Sequence, residues 1–356
     1  MLFRSWGLTG NQSGISSTSK LSTLSTRKYD YGSSTNYAGT EPNGPSNTSL
    51  KWERTTQRDL GLDATFLKNK LNVSLDYFAK ETKDVILRKQ LPLYDGSYTV
   101  FQNLGQVNNK GFEFSADYQV LSKNGVDWNI GFNISTVKNK VVNLGADEYI
   151  LTGDYGSGLL PTKAFIIKPG YAMGTFWGVK YLGLWSTSEA AEAAKFGAQP
   201  GDSKYEDVNG DHVINNSDYQ ITGDANPNYS FGINNTVSFK NFTLNILLEG
   251  VQGRKVLNVM YGVGTLPVGD ARTITMKDGA DIWTTSNQGA SFPALSSTNQ
   301  NNLQADRWLQ DGSFVKVRNI SLAYNFPKSM IKFAAVRLLV SGQNLLTLDR
   351  KSTRLN

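Results

Sequence analysis

Apolar and polar residues alternate in several stretches of the chain, with apolar side chains at every second position. One stretch starts at Leu60 and the next at Leu71, with the polar break Lys68-Asn69-Lys70 between them. A period of two places successive side chains on opposite faces of a β-strand, so this pair predicts an antiparallel hairpin with one apolar face. The pattern recurs three more times, which predicts hairpins over residues 60–79, 112–134, 229–248 and 320–340.

The connections alternate strictly between short and long. Each hairpin closes through a few residues, whereas the chain between one hairpin and the next is long and rich in Gly, Asn, Thr and Tyr, over residues 80–112, 134–229 and 248–320. Outer-membrane barrels keep their turns short on the periplasmic side and their loops long outside. Aromatic residues such as Phe66, Trp128 and Phe239 flank the short turns, as an interfacial girdle would.

The alternation alone fits two kinds of all-β protein. In a transmembrane barrel the apolar face contacts lipid, and in a water-soluble sandwich it packs on a second sheet. The runs are about nine to eleven residues long, which is enough to cross a bilayer at a tilt. Lys and Arg are nearly absent from the apolar positions, where they would cost roughly 2–4 kcal/mol at the bilayer midplane. The barrel is favoured, and a soluble carbohydrate-binding β-sandwich or adhesin stays the alternative.

Composition excludes several functional classes. The 356 residues include no Cys and one His, His212, which leaves no thiolate metal site and no material for a multi-histidine centre. The net charge is +6, but no basic run concentrates it, so we expect no nucleic-acid partner. No stretch of eighteen apolar residues predicts a transmembrane helix.

Five blocks of sequence stand out along the chain. They are Leu50-Lys51-Trp52-Glu53-Arg54 running on to Asp76-Tyr77-Phe78, Asn103-Leu104-Gly105 with Asn109-Lys110-Gly111, Pro200-Gly201-Asp202 through Asp207-Val208-Asn209-Gly210-Asp211, Arg307-Trp308-Leu309 with Asp311-Gly312-Ser313-Phe314, and Ser341-Gly342-Gln343-Asn344-Leu345. In type and order these blocks resemble the barrel of SusC/RagA-type TonB-dependent outer-membrane transporters.

The resemblance implies a 22-stranded barrel preceded by a plug, a SusD-like surface lipoprotein as partner, and import of oligosaccharides or peptides energised through TonB. Leu8-Thr9-Gly10-Asn11-Gln12 is similar to a block already inside the barrel, so we expect residues 1–348 to supply about nine strands of its C-terminal part, without the plug. The family continues past Leu348 to a closing strand that ends in an aromatic residue. Residues 349–356 depart from that pattern and are interpreted as a foreign tail.

One loop has the spacing of a calcium site. Oxygen-bearing residues occur at loop positions 1, 3, 5, 9 and 12, with a backbone carbonyl at position 7, and the candidate ligands are Asp207, Asn209, Asp211, Val213, Asn215 and Asp218. His212 occupies the position where glycine normally makes the sharp turn. The alternative is a loop in which the same side chains bond their own backbone as Asx-turns.

Carboxylates and aromatic residues give the remaining candidates. Asp63, Asp76, Glu113 and Asp117 lie on the polar face, where a wet barrel lumen accounts for them better than a hydrolase does, so no enzyme is expected. Trp177, Trp185 and Trp283 lie in the long connections. There a ring could stack on a sugar, although packing is favoured. Residues 186–195 predict a short capped helix.

Overall fold

The computed structural model describes residues 1–13, 20–30, 36–42, 44–91, 99–153, 163–259, 281–294, 303–331 and 333–349. Strand is the dominant element, in keeping with the alternating pattern. The strands are β1 (Leu2–Asn11), β2 (Leu24–Asp30), β3 (Asn36–Pro42), β4 (Glu53–Phe66), β5 (Leu71–Lys83), β6 (Ile86–Gln90), β7 (Thr99–Asn103), β8 (Gln106–Lys123), β9 (Val126–Asn143), β10 (Ile150–Thr152), β11 (Phe165–Ile167), β12 (Thr175–Gly178), β13 (Tyr181–Leu184), β14 (Ser203–Tyr205), β15 (Gln220–Asp224), β16 (Tyr229–Phe239), β17 (Phe242–Gln252), β18 (Lys255–Leu257), β19 (Leu309–Asp311), β20 (Phe314–Asn325) and β21 (Arg337–Asp349).

Helix is confined to short segments. The α-helix α1 spans Ala190–Lys195, and 3-10 turns lie at Thr187–Glu189, Asn216–Asp218 and Asp306–Trp308. The predicted capped helix is confirmed, because the Ser186 amide donates to Oε2 of Glu189 at 3.1 Å just before it. In the described part of the chain, no helix has the length and apolar character needed to cross a membrane.

A nine-stranded antiparallel sheet dominates the structure. Its order is β1-β4-β5-β8-β9-β16-β17-β20-β21. The four predicted hairpins are confirmed as the pairs β4/β5, β8/β9, β16/β17 and β20/β21, and β1 adds the ninth strand. β1 and β21 are the two edges of this sheet, which is therefore open and corresponds to part of a barrel wall.

The register carries one continuous apolar face across the sheet. A single cross-strand row runs Ala64, Val73, Ala116, Phe132, Ile233, Leu248 and Val317. Large apolar side chains of this face are exposed, with Leu60, Phe112 and Leu322 at 51%, 54% and 47%. A soluble sandwich would bury such side chains between two sheets, so the sandwich alternative is wrong.

The short connections all lie at one end of the sheet. Asn124 and Gly125 close β8/β9 with φ of 56° and 78°, which are the positive values that a two-residue hairpin turn of the primed type requires. Exposed aromatics gather at this end as predicted, and the rings of Phe242 and Tyr324 lie 4.7 Å apart. Outer-membrane barrels place this end in the periplasm and the long connections outside the cell.

The strands are longer than the sequence predicts. β8 and β9 each contain 18 residues, whereas the alternation indicates about nine to eleven, because their outer parts carry Asn and Lys that break the apolar pattern. At the other limit of the sheet, Asp349 ends β21 opposite Phe314. The rest of the segment interpreted as a foreign tail, residues 350–356, lies outside the described residues.

Candidate lumen surface and extracellular loop body

The face opposite the apolar one is polar and carries the four predicted carboxylates. Asp76 lies directly opposite Glu113 on β8. The Ser74 hydroxyl donates to Oδ1 of Asp63 at 2.6 Å and contacts Oδ2 of Asp76 at 3.2 Å. Because all four residues share the parity that points away from lipid, they form an acidic strip on the lumen surface.

A glycine makes room for one of these carboxylates. Gly131 lies opposite Asp117 in the β8/β9 register. A Cβ atom at Gly131 would lie 2.8 Å from Oδ1 of Asp117, closer than real Cβ contacts. The side chain of Asp117 therefore lies flat over the neighbouring strand and does not extend straight into the lumen.

The long connection between β9 and β16 folds into a body of its own. It contains a four-stranded sheet in the order β10-β11-β12-β15 and the pair β13/β14. A small apolar core forms around Val179, Tyr205, Tyr219 and Ala305. Burial raises the pKa of the Tyr205 hydroxyl, so this residue stays a neutral phenol.

This body is joined to the connection that precedes β20. The Val179 amide donates to the carbonyl of Gln304 at 3.0 Å, and Asp306 donates back to the Val179 carbonyl at 3.2 Å. The Gln304 side chain donates to the Trp177 carbonyl at 2.6 Å. Two loops more than a hundred residues apart in sequence thus form one packed unit, and no local sequence signal marks the contact.

The three candidate tryptophans have packing partners in this body. Trp185 and Trp283 are only 4% and 7% exposed. Trp177 is half-buried, and its ring stacks on Tyr149 with centroids 6.4 Å apart. The geometry favours packing for Trp185 and Trp283, and sugar stacking by any of the three stays a prediction.

A salt bridge supports the ring of Trp185. Nζ of Lys204 lies 2.6 Å from Oε1 of Glu189 and 4.4 Å from the centre of the Trp185 ring. The hydrogen bond from Lys204, followed by those from Ser186, lowers the pKa of Glu189 to about 2. The acid therefore remains ionised at any physiological pH and fixes the start of α1.

The predicted calcium loop bonds its own backbone. Asp207 accepts hydrogen bonds from the amides of Gly210 and His212 at 2.7 and 2.9 Å. Asp218 is fully buried, and its two oxygens accept from Val208 and Asn215 at 2.9 and 2.8 Å. His212 adopts φ of 60°, the left-handed conformation that the glycine position of such loops needs.

Three other candidate ligands also accept hydrogen bonds from backbone amides of their own loop. Asn209 accepts from the amide of Asp211, Asp211 accepts from Val213, and Asn215 accepts from Ser217. Across the described residues, no three acidic, histidine or cysteine side chains converge closely enough to hold a metal ion. This geometry favours the Asx-turn alternative, and calcium binding through Asp207, Asn209, Asp211, Val213, Asn215 and Asp218 stays a prediction.

Partial desolvation raises the pKa of Asp207, but the amides of His212, Gly210 and Asp211 outweigh it. The net effect is a pKa below the usual value. Asp207 is thus ionised at neutral pH, as either interpretation of the loop requires.

Comparison with known proteins identifies the family. The sequence profile described as "TonB dependent receptor-like, beta-barrel" matches residues 11–247. The chain is 32% identical to TonB-dependent receptor P3 of Formosa agariphila over 308 residues, which cover 85% of this chain and 30% of that protein. It is 26% identical to TonB-dependent receptor SusC of Bacteroides thetaiotaomicron over 334 residues, which cover 90% of this chain and 31% of that protein.

Solved structures show the same fold. The structure of the RagAB peptide transporter superposes with a TM-score of 0.79 at 20% identity, over 98% of this chain and 37% of that one. The chain thus spans about a third of the length of these proteins. These relatives are named as receptors and transporters, not as enzymes, in agreement with the expectation that the chain is not an enzyme. The likeness to SusC and to the RagAB structure is in keeping with the SusC/RagA-type resemblance of the sequence blocks. The chain belongs to the TonB-dependent receptor β-barrel family of the outer membrane.

Proposed function

We propose that residues 1–348 form the C-terminal part of the barrel of an active importer, which moves large polar nutrients across the outer membrane. A SusD-like surface lipoprotein and energy delivered through TonB complete the system. The substrate class is oligosaccharide or peptide.

The observation that carries this proposal is the division of the nine-stranded sheet into two faces. One face is predominantly apolar and exposed, as a lipid-facing wall is, and the other carries Asp76, Glu113 and Asn133. Carboxylate and amide groups can bond both sugar hydroxyls and peptide amides, which fits a pathway for bulky hydrophilic cargo.

The packed loop body supports a role at the mouth of the barrel. Loops joined through Val179 and Gln304 offer a firm surface on which a lipoprotein can close. One neighbour in fold is named as a peptide transporter. The relative named SusC is more similar to this chain in sequence than that neighbour is, and its name states no substrate. Both oligosaccharides and peptides therefore stay within the proposal.

The test uses the complete gene in its own bacterium. Deleting the gene should abolish growth on oligosaccharides or peptides too large for porins, and leave growth on the corresponding monomers intact. Deleting TonB should have the same effect on uptake, and the purified transporter should carry the surface lipoprotein with it. Undiminished uptake of all large substrates after deletion would refute the proposal.

A matched pair of variants locates the pathway within the sheet. Asp76→Asn with Glu113→Gln neutralises two lumen carboxylates, whereas Glu81→Gln neutralises one on the opposite parity of the same strand as Asp76. We expect the lumen pair to change the KM for uptake and the Glu81 variant to leave it unchanged. Equal effects would argue against passage along this face.

A further inference from the structure

Basic side chains interrupt the apolar face at the end that carries the long connections. Arg58 on β4 aligns across the sheet with Ala79, and Ala79 aligns with Lys110 on β8. Lys110 lies directly opposite Lys138 on β9. Directly opposed residues point to the same side of a sheet, so Arg58, Lys110 and Lys138 form one patch, here called the outer basic patch.

The outer basic patch begins where the apolar run stops. On β4 and β8 the next residues of the same parity toward the short turns are Leu60 and Phe112, and the ring of Phe112 lies 5.0 Å from that of Tyr77. On β9 the parity is apolar from Val126 through Ile134, and Thr136 then precedes Lys138. From Val126 to Thr136 the strand rises by ten residue steps of about 3.3 Å. With a tilt of roughly 40° this gives a height of about 25 Å, the height of the apolar band of such barrels.

The patch therefore lies at headgroup level on the extracellular side, outside the barrel. Its three side chains are exposed, and none of them lies within salt-bridge distance of an acidic residue in the described part of the chain. The nearest acid of the same parity, Glu81, already contacts Nζ of Lys83 at 3.2 Å and the Gln106 side chain at 2.6 Å.

Placing like charges directly opposite each other destabilises a sheet. Lys110 and Lys138 are such a pair, about 5 Å apart at their Cα atoms. The short side chain of Ala79 leaves a gap between Arg58 and Lys110 that a compact anion could enter. Arg4 on β1, opposite Leu60, adds a further exposed cation beside the patch.

We propose that the outer basic patch binds the phosphate groups of a phosphorylated glycolipid in the outer leaflet. An apolar band with aromatic rings would hold the acyl chains, and the cations just beyond it would pair with the phosphates. Guanidinium and ammonium groups are the usual partners of phosphate, and each basic side chain near an anionic membrane surface strengthens binding by about fivefold. The described outward face of β16 to β21 has no comparable row, so the site belongs to one side of the wall.

The test uses the full-length protein in phosphatidylcholine nanodiscs, with purified phosphorylated lipid A as the probe and dephosphorylated lipid A as its control. The patch variant is Arg58→Gln, Lys110→Gln, Lys138→Gln. The matched variant Lys68→Gln, Lys70→Gln, Lys240→Gln removes the same charge from the short-turn end. We expect the wild type and the matched variant to prefer phosphorylated lipid A by at least about tenfold, and the patch variant to lose that preference.

Three results would overturn the proposal: equal binding of both lipids by the wild type, an equal loss in the matched variant, or displacement of the lipid by excess inorganic phosphate. The last result would indicate a site for free phosphate.

If the patch variant does not reach a heat-modifiable folded form, Lys110→Arg with Lys138→Arg serves in its place and should keep the preference. In either case, comparing the two lipids on the wild type decides whether the protein recognises the phosphate groups. Substrate uptake is measured separately, so failure here is distinguishable from failure of the import proposal.

Discussion

The indole Nε1 of Trp128 donates a 3.0 Å hydrogen bond to Oδ1 of Asn235 on the lipid-facing side of the sheet. Asn235 is an amide within the apolar parity of β16, and it pairs across the sheet with Ile130 and Ile246. A polar group that faces lipid has no water to bond, so the indole of the neighbouring strand is its compensating partner.

Breaking this pair should cost stability in a non-additive way. We expect Trp128→Phe and Asn235→Leu each to destabilise the barrel, and the double variant to cost less than the sum of the two. The coupling should be roughly 0.5–2 kcal/mol, because each single variant leaves one polar group unpartnered. Guanidinium unfolding of the full-length protein refolded in liposomes measures it, and strictly additive losses would show that the bond contributes nothing.

The tight turn between β8 and β9 gives a second prediction. Asn124 and Gly125 both have positive φ, and a side chain at Gly125 is strained whatever space surrounds it. Gly125→Val should lower the free energy of unfolding by about 1–2 kcal/mol. Gly7→Ala on β1 is the control, because it has open space around it and no positive φ is recorded there. A similar loss in both variants would mean that the turn has no special requirement.

The hairpins were predictable because their information is local. Alternating residues from Leu60 to Ala79 fix which side chains share a face, and the short turns fix the register. The resemblance of the sequence blocks then supplied the family. Together they give the nine strands, the exposed apolar wall and the acidic lumen strip of Asp63, Asp76, Glu113 and Asp117.

The loop body was not predictable, because long-range contacts create it. Nothing in the sequence near Val179 indicates that it will pair with Ala305. For Trp185 the sequence favours packing over sugar contact, but it does not identify the residues against which the ring packs. The outer basic patch shows the same limit. Arg58, Lys110 and Lys138 lie on three strands, and only the register brings them together.

The depressed pKa of Glu189 predicts a pH dependence for the start of α1. An acid whose folded pKa of about 2 lies below its ordinary 4.5 stabilises the fold fully above pH 4.5, and loses this effect as the pH falls toward 2. The side chain is 37% exposed, so the contribution at neutral pH should stay below about 1 kcal/mol. We expect Glu189→Gln to weaken amide protection in α1 at pH 6 and to match the wild type near pH 2.

Hydrogen exchange with mass spectrometry measures this difference when both proteins are compared at the same pH. Glu192→Gln is the control, because its bond to Lys195 lies within α1 on the exposed surface. A Glu189 effect that is the same at both pH values would rule out ionisation as its cause.

Removal of calcium distinguishes the two interpretations of the loop from Asp207 to Asp218. Because both oxygens of the buried Asp218 already accept backbone amides, we expect the loop to stay closed in the presence of EDTA. Asp218→Ala should open it with or without calcium, at a cost of about 1–3 kcal/mol, since two partly buried amide donors lose their acceptor. Asp218→Asn keeps one oxygen and should fall between the two. Limited proteolysis of the full-length protein at this loop is the measurement.

The opposite outcome would be that EDTA alone exposes the wild-type loop to protease and that added calcium restores protection, except in Asp207→Asn. In that case the loop is a calcium site, and the Asx-turn interpretation is insufficient.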